Sequence, residues 1–273
     1  GGGGLDIGFD KAGFELLYST DHWDIACETL KKNFKHIVEC KDIRNVNYNK
    51  IMQDLGIDEF DCLIGGPPCP AYSKTRFYLK DKKRALEDES AFTLYEYIRA
   101  IEELKPKVFL FENVNGFVFK PHRDAFDLLM EESERLGYTL SYEVLNSADF
   151  GVPQTRKRFI CIGIRNDLGK KFIFPKSTYA DPEKIQKDKL IDIKPWKTAG
   201  EAIGDLDYDL PEDKNRQAGS KHKDLLPLVP PGDNYLYFTK ERGHPNPIFK
   251  WRSRYWSFLL KLSPDRPDRK SVV

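Results

Sequence analysis

The sequence predicts an α/β fold, a doubly wound and mostly parallel sheet, followed by a second, smaller, irregular and partly β domain. Two patterns carry this. Up to about residue 170, short apolar runs of strand length alternate with segments whose apolar residues recur at helical spacing, as repeated βα units require. Beyond that point the helical period fades and prolines multiply (Pro175, Pro182, Pro195, Pro211, Pro227, Pro230, Pro231, Pro245, Pro247). We therefore expect one domain over residues 1–170 and another over residues 171–273.

The elements follow in order. Gly1 to Gly4 form a glycine-rich turn that feeds a helix. Residues 16–19 make a short apolar strand, and Asp24 is placed to cap a helix whose Ile25, Leu30 and Phe34 share one face. Strands are expected at 36–40 and 60–64. Leu94, Ile98, Ile101 and Leu104 repeat at helical spacing, and Lys105-Pro106 closes that helix. Residues 108–111 are wholly apolar, as in a strand covered on both faces. Phe126, Leu129 and Met130 mark a further helix that Gly137 ends. Strands at 139–145 and 159–164 complete the first domain.

Composition narrows the class. With 40% hydrophobic and 13% aromatic residues in 273, the chain can bury a normal core and is not disordered as a whole. Lys plus Arg (44) nearly balances Asp plus Glu (43), so any face for nucleic acid must come from local sorting of charge. The five cysteines (Cys27, Cys40, Cys62, Cys69, Cys161) form no C-x-x-C pair, which argues against a disulfide framework or a metal site and for a reducing, cytoplasmic setting. No apolar run approaches a membrane span, and no signal peptide is visible. Gly1 to Gly4 reads as the middle of a loop whose preceding strand is missing. Asp268 to Val273 reads as translated adaptor, so the natural chain is expected to continue differently after Pro267.

Several short segments carry chemistry. A glycine turn before a helix lets backbone amides approach a ligand, although its spacing is not G-x-G-x-x-G. Asp21 lies 18 residues beyond Gly3, where nucleotide-binding sheets place an acid for ribose hydroxyls. His22 or Trp23 offers a planar ring to an adenine, with a helix-capping loop as the plainer reading. Asp42, after the next strand, could accept from the amine of the same base or be a solvated turn residue. Gly65-Gly66-Pro67-Pro68-Cys69-Pro70 follows a strand directly, where open sheets bind ligands. A cysteine fixed between prolines is not ordinary helix or strand core, and it is presented on a stiff loop. Glu112-Asn113-Val114 ends an apolar strand, so the Glu112 carboxyl should be desolvated and suited to hold a proton. In Gln154-Thr155-Arg156-Lys157-Arg158, strand alternation puts Gln154, Arg156 and Arg158 on one side.

In this order, the segments resemble the motif set of the DNA cytosine-C5 methyltransferase family, as found in bacterial restriction–modification systems. The match is carried by the glycine turn, residues 65–70, Phe111 to Val114 and Gln154 to Arg158, spread over the first 165 residues. The resemblance implies the Rossmann-like fold of S-adenosylmethionine-dependent methyltransferases and a target-recognition role for the second domain. It implies a DNA (cytosine-5-)-methyltransferase that flips its cytosine out of double-stranded DNA. Cys69 would attack C6, Glu112 would protonate N3, Arg158 would polarise O2, and Arg156 would orient the site. S-adenosylmethionine would be held by Gly1, Gly3, Gly4, Asp21, His22 or Trp23, Asp42, Pro67 and Leu94. No metal and no membrane are expected. A monomer is expected, with a cognate restriction endonuclease as a possible companion.

Some features depart from the pattern. Pro70 stands where the family has Gln, the Phe expected before the glycine turn is missing, and the family's last two motifs do not follow Asp265. The stretch Phe249-Lys250-Trp251-Arg252-Ser253-Arg254-Tyr255-Trp256 interleaves bases and aromatics and could contact phosphates or base edges. Its plain alternative is a packed strand with a basic face. Rival readings of the whole chain are a tRNA cytosine-C5 methyltransferase of the same fold, a non-catalytic nucleic-acid-binding relative and a Rossmann oxidoreductase. The long second half, the joint presence of Cys69, Glu112 and Arg158, and the glycine spacing disfavour them in turn.

Overall fold

The computed structural model describes residues 1–67, 92–120, 123–189, 191–206, 222–252 and 258–268. The chain forms two compact units, Gly1–Val144 with Arg158–Phe174, and Leu145–Lys157 with Pro175–Val273.

The first unit is mixed α/β. Helix α1 (Gly4–Lys11) leaves the glycine turn, and strand β1 (Tyr18–Asp21) leads into α2 (Asp24–Asn33). Strand β2 (Ile37–Cys40) runs parallel to β1 with Tyr18 opposite Ile37 and Asp21 opposite Cys40. After α3 (Tyr48–Leu55), a second sheet has the order β3 (Cys62–Gly65), β4 (Val108–Val114), β6 (Lys157–Arg165), β5 (Tyr138–Asn146). Helices α4 (Phe92–Leu104) and α5 (Arg123–Arg135) belong to the same unit. Strand β4 is parallel to β3 but antiparallel to β6. A parallel pair needs a long crossover, whereas the chain between β5 and β6 is only a short turn-rich connection. That is why this strand breaks the parallel pattern.

The core explains most of the helical expectations. Leu94, Tyr97, Ile98 and Ile101 of α4 pack with Phe109 and Phe111 of β4, and Phe126 and Leu129 of α5 join them with Phe159. The rings of Phe117 and Phe159 stack at 5.2 Å. Strand β4 alternates, with Phe109, Phe111 and Asn113 buried and the residues between them half-buried, so its two faces are not equally covered as the apolar run predicted. Gly137 ends α5 with φ 84°, as expected.

Helix α2 differs from the expectation. Its buried residues are Ala26, Cys27 and Leu30, while Ile25 is 60% exposed. Five residues of α-helix turn through about 140° net, so Ile25 and Leu30 do not share a face. Nor does Asp24 cap the helix. Trp23 occupies the cap position without a side-chain bond, and the Asp24 carboxylate accepts instead from Cys40 Sγ at 3.0 Å.

The second unit is short-element and turn-rich. A two-residue parallel pair, β7 (Tyr179–Ala180) and β8 (Lys194–Pro195), accompanies α6 (Pro182–Asp188), capped by Asp181, and α7 (Ala199–Ile203). Thr198 and Glu201 close a capping box on α7. Tyr235, Phe238, Phe249 and Phe258 pack edge to face or tilted at 5.7–6.3 Å. Asp268 is stitched to Gln154 and Thr155, and Arg266 accepts from the Ala199 amide.

Candidate active site

Gly1 and Asp21, two of the predicted cofactor residues, meet at the carboxyl end of the parallel strand β1. Gly3 adopts φ 81°, and a Cβ there would come within 2.7 Å of the Phe34 ring, so both conformation and space call for glycine. No side chain caps the start of α1, which leaves its first amides available to an acceptor. Asp21 ends β1. Its carboxylate accepts from the Trp23 amide at 2.9 Å and from the Gly1 amino group. Burial opposes ionisation of Asp21, and the bond from the Trp23 amide favours it. His22 points to solvent beside it, 3.6 Å away, and Trp23 is 59% exposed. An acid, an open aromatic face and uncapped amides at one sheet edge have the chemistry a nucleoside needs.

Two other predicted cofactor residues sit less simply. Asp42 follows β2, and Arg44 engages its carboxylate through the backbone amide and the guanidinium, which holds its pKa down at about 2. Leu94 is only 2% exposed and belongs to the main core cluster.

The catalytic carboxylate and guanidinium meet. Glu112 on β4 lies opposite Ile160, and Val114 lies opposite Arg158, so Glu112 and Arg158 are diagonal neighbours across an antiparallel pair. Arg158 Nε is 2.8 Å from Glu112 Oε1. Glu112 is half-buried rather than fully covered: its side chain is 27% exposed and that of Arg158 22%, because alternation turns Glu112 away from the face that buries Phe111 and Asn113. Gly66 lies against this carboxylate, since a Cβ there would sit 3.0 Å from Glu112 Oε2. Asn113, which the sequence reading left without a role, donates from Nδ2 to the Pro67 carbonyl at 3.4 Å and is buried. It thus ties the end of β4 to the stem of the loop that carries Cys69. Only its place in Glu-Asn-Val could have signalled this.

Cys69 and Pro70 lie outside the described residues, as do Ser253 to Trp256. Arg156 belongs to the second unit, where it is exposed and its carbonyl accepts from the Ser147 amide at 3.0 Å. Regular strand begins only at Lys157, so the alternation predicted from Gln154 does not extend back that far. Among the described residues, no helix is long and apolar enough to cross a membrane, and no group of three or more His, Cys, Asp or Glu could hold a metal ion.

A family model for C-5 cytosine-specific DNA methylase matches residues 1–264. This chain belongs to that family. The methylase is 37% identical to Type II methyltransferase M.SacI of Streptomyces achromogenes, over 98% of this chain and 71% of that one. It is 36% identical to M.MthTI of Methanothermobacter thermautotrophicus, over 100% of this chain and 74% of the relative. With M.NgoFVII of Neisseria gonorrhoeae it shares 33% identity over 90% of this chain and 61% of the other. The methylase therefore spans between about three-fifths and three-quarters of these relatives. Its fold is similar to the crystal structure of a protein described as a DNA modification methyltransferase encoded within an E. coli prophage. That match has a TM-score of 0.58 at 22% identity and covers 78% of this chain and 53% of that one.

Proposed function

We propose that the chain carries the catalytic machinery of a DNA cytosine-C5 methyltransferase, with S-adenosylmethionine as methyl donor and double-stranded DNA as substrate. The observation that carries this reading is the Glu112–Arg158 pair at the carboxyl end of β4, set against Gly66 at the root of the Cys69 loop. In this reading Cys69 adds as thiolate to C6 of a flipped-out cytosine, forming a C–S bond. The electron pair displaced from the ring is stabilised at N3, which takes a proton from Glu112, and at O2, which faces Arg158. C5 thereby becomes nucleophilic. The cofactor supplies an electrophilic methyl group to it when bound. Loss of the C5 proton to solvent, with the N3 proton returned to Glu112, then reforms the ring double bond and expels the Cys69 thiolate.

Asp21, Trp23 and the glycine turn would hold the cofactor. Asp42 could reach an adenine amine only through lone pairs that Arg44 leaves open. The second unit, with exposed Lys250, Trp251 and Arg252, would read the DNA sequence. The cytoplasm would be its setting, a monomer its working form and a cognate restriction endonuclease its companion, since the relatives above are Type II methyltransferases.

The test is bisulfite sequencing of plasmid DNA from cells expressing the gene, beside a Cys69→Ala version. We expect protected cytosines in one short sequence context, absent with Cys69→Ala. No protection from a soluble, abundant protein would overturn the DNA reading, and transfer RNA would become the next substrate to try.

A further inference from the structure

Behind the predicted cofactor edge lies a polar chain that no step above uses. Ser19 Oγ donates to Asp6 Oδ1 at 2.9 Å, and His36 Nε2 lies 2.8 Å from the same hydroxyl. The serine has one proton and gives it to Asp6, so His36 must donate through Nε2. The three residues come from three elements: Asp6 from the first turn of α1, Ser19 from β1, and His36 from the residue before β2. The His36 side chain is 2% exposed and that of Asp6 17%. The His36 ring packs at 5.4 Å on Phe34, the ring that bars any Cβ at Gly3. A closed circuit therefore runs from the glycine turn through Phe34, His36, Ser19 and Asp6 back to α1. Ser19 is two residues before Asp21, on the same face of β1.

We infer that Ser19 is a positioning residue for the cofactor site: through Asp6 and His36 it fixes the glycine turn and the amides of α1 in register with Asp21. This rests on the cofactor reading above. A partly buried hydroxyl that links a helix to the strand beside it removes slack where the ligand must bridge both. Replacing it with a methyl group leaves Asp6 and His36 without their shared partner, and α1 is freed to shift against β1.

The test is equilibrium binding of S-adenosylhomocysteine to the whole protein, with KM for S-adenosylmethionine, kcat and thermal midpoint measured alongside. Ser19→Ala should weaken binding and raise KM by about ten-fold while kcat at saturation holds, and Ser19→Thr, which keeps the hydroxyl, should restore wild-type affinity. Affinity unchanged in Ser19→Ala, with only the midpoint lowered, would overturn the inference, as would equal weakening by both variants. Should Ser19→Ala fail to fold, Asp6→Ala and Asp6→Asn replace it. Asn keeps an acceptor and should bind, Ala should not, and equal behaviour of the two overturns the idea. Failure of the wild-type protein to bind S-adenosylhomocysteine would instead sink the cofactor reading itself.

Discussion

A thiol attacks only as thiolate, so the surroundings of each cysteine decide which can serve. Burial pushes the Cys161 thiol up to about 12 and the Cys62 thiol up to about 11. Neither supplies appreciable thiolate at neutral pH, hydrogen bonds to Cys27 and Asp24 hold the Cys40 thiol up at about 12, and Cys27 is buried, which leaves the proline-held Cys69 as the proposed nucleophile. The same shift has a stability consequence. The folded pKa of Cys161 lies above the ordinary thiol value of 9.0, so its contribution is fully present below pH 9 and is lost as pH rises towards 12. Cys161→Ala should be less stable than wild type at pH 8, and the gap should narrow by roughly 1 kcal/mol by pH 10. Urea unfolding at the two pH values measures this. A gap that stays constant would mean that Cys161 ionises as readily in the folded protein as in the unfolded one.

At the scale of elements, the β4–β6 pair decides the site. Gly163 on β6 faces Phe109 on β4, and a Cβ at Gly163 would meet that ring at 2.1 Å. Phe109 is fully buried and touches Tyr97 and Tyr138, so it has nowhere to retreat. Gly163→Ala should therefore cost about 1–3 kcal/mol by overpacking, and adding Phe109→Leu should recover part of it. Denaturant midpoints of the two single variants and the double variant test this; a loss below about 0.5 kcal/mol for Gly163→Ala, or strict additivity in the pair, would contradict the packing argument. Because the pair is antiparallel, the start of β6 arrives where β4 ends, and Arg158 reaches Glu112. Both residues were legible as motif members. Their contact was not, because it depends on the direction and register of a strand 46 positions later in the chain (158 less 112).

At the scale of the whole molecule, a net charge of +1 gives no general attraction to DNA, so binding must rest on a few local cations. If the second unit contacts phosphates, Lys250→Ala and Arg252→Ala should each weaken DNA binding and reduce the slope of log affinity against log salt by about one. Affinity for S-adenosylhomocysteine should not change, since both residues belong to the unit without the predicted cofactor edge. Fluorescence anisotropy at several salt concentrations reads the slope, and an unaltered slope in both variants would remove these residues from the DNA face.

Helical spacing located α4 and α5, and the apolar runs located the strands to within a few residues, because both are local consequences of burying one face. The motif order pointed to the family through residues whose types are fixed by chemistry rather than packing. Tertiary structure alone decided what depends on partners distant in sequence. It turned Ile25 outward and Cys27 inward on α2, placed Leu94 in the core, and aligned β6 against β4. It also brought Asp6, Ser19 and His36 together from three elements. A hydrogen bond across a fold leaves no period in the sequence; it exists only once the elements that carry its two ends have packed.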